Sequence, residues 1–78
     1  MFKLTVAQVD KTLFQGEVAQ VTCPGADGEL TILSHHSALV TPLRAGELKI
    51  VDDEGKETRI AVTGGILEVR GNEATIIL

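Results

Sequence analysis

Apolar and polar residues alternate in short runs along most of the chain. In the first run, residues 2–7, Phe2, Leu4 and Val6 alternate with more polar neighbours, and later runs cover residues 29–32, 47–50, 59–62, 67–70 and 74–78. A period of two places every second side chain on the same face of a strand. Each run therefore predicts a half-buried β-strand with one face against a core.

Turn-forming residues separate these runs. Pro24–Gly28 is a turn cluster, Asp52–Gly55 has the composition of a hairpin loop with Gly55 at positive φ, and Gly71–Asn72 that of a two-residue hairpin turn. Turns at intervals of about 8–12 residues are typical of sandwiches and barrels. No helical period extends beyond one short turn, at residues 34–39. The pattern predicts an all-β domain.

The second strand shows a shift in phase. Phe14, Val18 and Val21 do not fall on one face of a strand with a period of two. A bulge near Ala19–Gln20 would restore the register. Alternatively, the strand bends there and contributes to both sheets of the domain.

Composition fits one globular domain over residues 1–78, with 44% hydrophobic and 23% charged residues. The net charge of −4 argues against nucleic-acid binding and against an electrostatic membrane anchor. No apolar run approaches the roughly 20 residues of a spanning helix, so we expect membrane association only through a partner.

Cys23 is the only cysteine, and we expect it to be a small buried hydrophobe.

No arrangement of residues indicates catalysis or a bound cofactor. His35 and His36 are adjacent, so in extended structure they point to opposite faces, and no Cys, Asp or Glu follows either at three or four positions. A metal site needs three or four converging ligands. Ser34 and Ser37 flank the histidines without a nucleophile-elbow sequence. We therefore predict no catalytic, metal or cofactor-binding residues.

One alternative function has a mechanism behind it. Lipoyl and biotinyl carriers are small acidic all-β domains that display a modified lysine at a hairpin tip, and Lys11 in the segment Val9–Thr12 is the candidate. Carrier domains have two similar halves with the lysine near the middle. Lys11 lies close to the N-terminus, and the two halves of this chain are dissimilar. A generic β-sandwich adaptor is a further alternative.

Three blocks of sequence, in order, resemble the epsilon subunit of bacterial F-type ATP synthases. The first is Leu13–Val18, which is similar to the family's segment of phenylalanine, a small polar residue, glycine, any residue and valine. The second runs from Gly28 to Leu33 and resumes from His36 to Leu43. The third is Thr63–Val69, with a Gly-Gly pair, a hydrophobic pair, a glutamate and a valine. Each block is weak alone, but their order and spacing are specific.

The resemblance implies a flattened β-sandwich of two antiparallel sheets with about ten short strands. It implies a non-catalytic central-stalk subunit of a proton-translocating ATP synthase, which binds the gamma subunit and contacts the membrane rotor ring to couple proton flow to ATP synthesis. The implied location is peripheral, at the cytoplasmic face of the bacterial cell membrane. Residue by residue, Glu29 and His36 match ring-facing loops, and Gln8 and Thr41 match gamma-facing positions.

Two features depart from the family pattern. The family loop Pro-Gly-His-Ala/Ser-Pro is replaced by Ser34-His35-His36-Ser37-Ala38, so we expect a less constrained loop. The chain stops at Leu78, before the C-terminal helical hairpin that many members carry. We therefore expect neither appreciable ATP binding nor inhibition by an inserted helix. The sequence is compatible with a naturally short chain and with a shortened one.

Overall fold

The computed structural model describes all residues, 1–78, and contains nine strands and no helix. The predicted all-β fold is confirmed, with nine strands where the resemblance implies about ten. The strands are β1 Phe2–Gln8, β2 Lys11–Val18, β3 Gln20–Gly25, β4 Gly28–Leu33, β5 Leu39–Leu43, β6 Gly46–Val51, β7 Glu57–Val62, β8 Gly65–Arg70 and β9 Glu73–Ile77.

The strands form one curled, hydrogen-bonded sheet whose two halves share a core. We call β2-β1-β9-β8-β5 the first layer and β4-β3-β6-β7 the second layer, joined where Gly25 of β3 pairs with Leu43 of β5. Paired strands are antiparallel except β1 and β9, which are parallel from Lys3 opposite Glu73 to Ala7 opposite Ile77. The arrangement is consistent with a flattened sandwich closed along one edge.

The chain passes between the layers four times, and backbone hydrogen bonds mark the β2–β3 and β5–β6 crossings. At Ala19, between β2 and β3, the backbone N–H donates to the Val51 carbonyl at 2.8 Å, and at Arg44 the N–H donates to the Pro24 carbonyl at 2.8 Å. Of the two predictions for this segment, the bulge near Ala19–Gln20 is not found. The chain instead bends at Ala19, so that β2 lies in the first layer and β3 in the second. The register shift lies between Val6 and Ala7, opposite β2.

Fifteen buried apolar side chains from both layers form one core. Their positions follow the alternation in sequence: Phe2, Leu4 and Val6 are buried, whereas their neighbours are exposed or half-buried. No polar or charged residue is buried. Cys23 is fully buried in this cluster, as expected, and burial raises the pKa of its thiol to about 12. The hydrophobic effect thus explains which face of each strand packs against the core.

Two ends of the domain can be defined by their connections. The Asp27 end carries the β3–β4 turn at Ala26–Asp27, the β1–β2 turn at Val9–Asp10 and the last residue, whose N–H donates to the Ala7 carbonyl at 2.9 Å. The Asn72 end carries the β8–β9 turn, the β4–β5 loop and the β6–β7 hairpin, where Gly55 has the expected positive φ of 83°.

Candidate functional site

An apolar row crosses the outer face of the first layer. The register places Ala7 beside Ile77, Ile77 beside Ile66, and Ile66 beside Pro42, so these side chains share the face turned away from the core. Val40 lies two residues from Pro42 on the same face of β5. We call Val40, Pro42, Ile66 and Ile77 the apolar patch.

The apolar patch is open to solvent. Val40 is 67% exposed, Ile66 51% and Ile77 50%, although the domain has a complete core without them. Contiguous exposed apolar side chains on a folded domain mark contact surfaces for other molecules. The patch is thus the best candidate on this chain for binding a protein partner.

Alternation alone does not predict the patch, although the sequence holds a signal for it. Leu39-Val40, Ile66-Leu67 and Ile76-Ile77 are adjacent apolar pairs within strands. Adjacent residues point to opposite faces, so one member of each pair must face outward. Pairs of this kind on neighbouring strands indicate an apolar outer face.

The two residues expected to face gamma both lie in the first layer. Thr41 stands between Val40 and Pro42, with its side chain on the inner side, half-buried, and its hydroxyl donating to the Pro42 carbonyl at 3.3 Å. Gln8 ends β1 opposite Lys11 and is exposed. Their strands are separated by β8 and β9, so three strand spacings of about 4.8 Å separate them across the layer.

Glu29 and His36, both expected to face the ring, lie at opposite ends of β4. Glu29 is the second residue of this strand and His36 follows its last residue by three positions. Four residues of extended chain put about 13 Å between the Cα atoms of Glu29 and Leu33, and His36 lies on the Leu33 side, with its N–H donating to the Leu33 carbonyl. The strand therefore does not bring these two side chains together.

Glu29 borders a polar groove of about 450 Å³ on the outer face of the second layer. The other lining residues are Thr22, Pro24, Gly46, Glu47, Lys49 and Arg59. Arg59 pairs with Glu47 at 2.9 Å and with Glu57 at 2.7 Å, and these carboxylates raise the pKa of its guanidinium. Glu29 forms no ion pair. Its carboxylate is thus available to a partner.

The loop between β4 and β5 is contacted by a side chain from the distant β8–β9 turn. His35 has a left-handed φ of 60°, and its N–H donates to Oδ1 of Asn72 at 2.9 Å. The Nδ1 atom of His36 lies 2.8 Å from the Ser37 carbonyl oxygen. The expectation of a loop less constrained than the family's stays a prediction.

No group of three His, Cys, Asp or Glu side chains converges as metal ligands would. No helix in the structure is long and apolar enough to cross a membrane. The all-β fold and the exposed apolar patch define the class: a small β-domain with a surface suited to protein partners.

Comparison with known proteins identifies the family of this domain. Residues 1–78 match the family model of the ATP synthase delta/epsilon chain β-sandwich domain, and the chain belongs to this family. The ATP synthase epsilon chain of Dichelobacter nodosus is 39% identical over 99% of this chain, and that of Brevibacillus brevis 38% over 99%. The chain spans 53% and 60% of the length of these relatives. The resemblance seen in the sequence is confirmed.

Solved structures agree with the fold. A chain in the Euglena gracilis mitochondrial ATP synthase structure, which contains OSCP, F1 and the c-ring, superposes with a TM-score of 0.90 at 28% identity, over 95% of this chain and 48% of that one. A chain in the Tetrahymena thermophila central stalk and c-ring structure superposes at 0.80 over 96% of this chain and 60% of that one. Its 21% identity supports the fold alone. These matches give the carrier alternative at Lys11 no support.

Proposed function

We propose that this chain is the β-sandwich domain of a non-catalytic central-stalk subunit in a proton-translocating ATP synthase. In this role it binds the gamma subunit and touches the membrane rotor ring, so that rotation of the ring and of the stalk are coupled. It is peripheral to the membrane, on the cytoplasmic side, and held there by its partners. Membership of the delta/epsilon family supports this role.

The observation that carries the gamma contact is the apolar patch. Burying Val40, Ile66 and Ile77 under a partner removes apolar surface from water, at about 25 cal/mol per Å². The patch occupies the outer face of the layer that also holds Gln8 and Thr41, which the family resemblance assigns to gamma. Thr41 has an inward side chain and contributes through the geometry of β5. Gln8 is exposed at the end of β1, but alternation from Ala7 turns its side chain away from the face of the patch, so it meets the partner only at the edge of the layer.

We assign the ring contact to Glu29. Its carboxylate is exposed, forms no ion pair and lies beside the short turn at the Asp27 end, where a loop of the ring can approach. Loops on a rigid scaffold are frequent contact points. His36, at the opposite end of β4, cannot share a small contact with Glu29, so the two residues are tested separately.

Co-expression with the gamma subunit and the ring subunits tests the proposal. We expect the chain to co-purify with gamma, and failure to form a stable complex would contradict the proposed function. In the presence of ring subunits, we expect Glu29→Ala to reduce ring capture and His36→Ala to leave it unchanged. Unchanged capture with Glu29→Ala would refute the ring assignment while leaving the gamma contact intact.

A further inference from the structure

The outer face of the first layer changes from apolar to charged along its strands. At the Asp27 end lies the apolar row that contains Ile66 and Ile77. Toward the Asn72 end, the register sets side by side four residues of alternating charge from β2, β1, β9 and β8, which we call the charged row: Glu17, Lys3, Glu73 and Arg70. Glu68 and Thr75 lie between the two rows.

Ion pairing in this region is incomplete. Arg70 pairs with Glu68 of its own strand, with 3.4 Å between Nη2 and Oε2. Glu73, directly opposite Arg70, forms no ion pair. Glu68, Arg70, Glu73 and Thr75 line a concavity of about 230 Å³. Two carboxylates and one guanidinium line the concavity, a net charge of −1, and Glu73 forms no ion pair although Lys3 lies beside it on β1.

We propose that this concavity receives a cationic side chain, lysine or arginine, from the gamma subunit when that subunit covers the apolar patch. The inference rests on the proposed function and names the chemistry of its contact. Glu68 lies directly opposite Val40, so the concavity adjoins the patch. A few half-exposed apolar side chains supply far less than the roughly 800 Å² per partner of a stable interface, so the interface must extend onto neighbouring residues.

Charge selects the occupant of the concavity. An anionic side chain would meet two carboxylates while the only guanidinium of the lining is already paired, and the nearby Lys3 has Glu17 on its other side. A cation gains an attraction to Glu73. Interfaces commonly have an apolar centre and a polar rim, and charges at the rim set orientation and association rate more than affinity. The charged row therefore fixes the direction in which the partner lies across the first layer.

Glu73→Lys tests this role against Glu54→Lys, which makes the same change in net charge in the exposed β6–β7 hairpin. Association with purified gamma is measured at about 0.05 M and about 0.5 M salt. We expect Glu73→Lys to slow association by about fivefold at low salt and less at high salt, and Glu54→Lys to change it by less than about twofold. Equal effects of the two variants would overturn the inference.

Two further measurements distinguish a failed cationic contact from a misfolded variant and from a failed function. Equal melting temperatures of both variants and the unsubstituted chain establish that the fold is intact. Ile66→Asp and the unsubstituted chain separate the two proposals. If the unsubstituted chain binds no gamma, the proposed function itself fails, and if Ile66→Asp leaves gamma binding intact, gamma does not cover the apolar patch. If Ile66→Asp abolishes binding while Glu73→Lys behaves like Glu54→Lys, only the cationic contact is wrong.

Discussion

The side-chain amide of Asn72 joins His35 to the N-terminus of the chain. Its Oδ1 accepts the His35 N–H at 2.9 Å, and its Nδ2 donates to the Met1 carbonyl at 2.7 Å. Three segments far apart in sequence therefore meet at one exposed residue of the β8–β9 turn. This contact fixes the β4–β5 loop that leads into Val40 and the apolar patch.

Removing the Asn72 amide is expected to loosen that loop. Asn72→Ala loses two hydrogen bonds and should lower the free energy of unfolding by about 1–2 kcal/mol, because each bond contributes about 1 kcal/mol. Asn72→Asp keeps an acceptor for His35 but loses the donor to Met1, so we expect roughly half the effect. Urea unfolding measures both, and hydrogen exchange at the His35 amide should accelerate. Unchanged exchange there in Asn72→Ala would contradict the role of this contact.

Glycine should suit position 35 better than position 36. A left-handed φ, as at His35, destabilises a residue with a Cβ by about 1 kcal/mol. His35→Gly removes this strain, but glycine loses more chain entropy on folding, by a similar amount. We expect a near-neutral change in the free energy of unfolding. His36→Gly, where no positive φ exists, should destabilise by about 0.5–1 kcal/mol. Thermal melts of the two variants measure this difference in stability. An equal loss of stability in both would contradict strain at His35.

Gly65 is expected to tolerate no side chain. Its φ is +140°, and a Cβ there would lie 2.5 Å from the Ile77 carbonyl oxygen on the neighbouring strand β9. We expect Gly65→Ala to destabilise the fold by at least about 2 kcal/mol, from backbone strain and displacement of β9. Gly16→Ala is the control, because its Cβ would meet only the Phe14 ring at 3.9 Å. Denaturant midpoints should separate the two variants, and equal midpoints would show that β8 and β9 can move apart freely.

Much of this fold could be predicted from local pattern. The alternation of Phe2, Leu4 and Val6 gave the buried face of β1 because hydrophobic burial acts on single side chains. The parallel pairing of β1 with β9 could not be predicted in this way, since the two strands lie at opposite ends of the sequence and no local signal links them.

The candidate site was less predictable for the same reason. The apolar patch depends on the register of three strands. An adjacent apolar pair such as Ile66-Leu67 therefore indicates a surface patch only when the neighbouring strands in the sheet are known. The restraint on the β4–β5 loop comes from Asn72, 37 residues beyond His35. Family resemblance suggested contact residues, but which of them share a side of the domain required the structure.

The stability of the domain should fall at high pH through Cys23. Burial raises its pKa from the ordinary 9.0 to about 12, so the folded state favours the neutral thiol. This contribution is fully present below about pH 9 and is lost as the pH rises toward 12. Urea unfolding at several pH values from 8 to 11 should show a steeper loss for the unsubstituted chain than for Cys23→Ala. Parallel curves would mean that the thiol ionises as readily in the folded state as in the unfolded one.

The most direct test of the account is titration of the gamma subunit with two matched variants of the apolar surface. Ile66 and Leu33 are equally exposed, at 51% and 53%, but Ile66 lies in the apolar patch and Leu33 at the end of β4 in the second layer. With calorimetry, we expect Ile66→Asp to weaken gamma binding at least about 30-fold, as loss of a central contact of 2 kcal/mol or more does, and Leu33→Asp to bind as the unsubstituted chain does. Full binding by Ile66→Asp, or equal losses in both variants, would contradict the assignment of the patch to gamma.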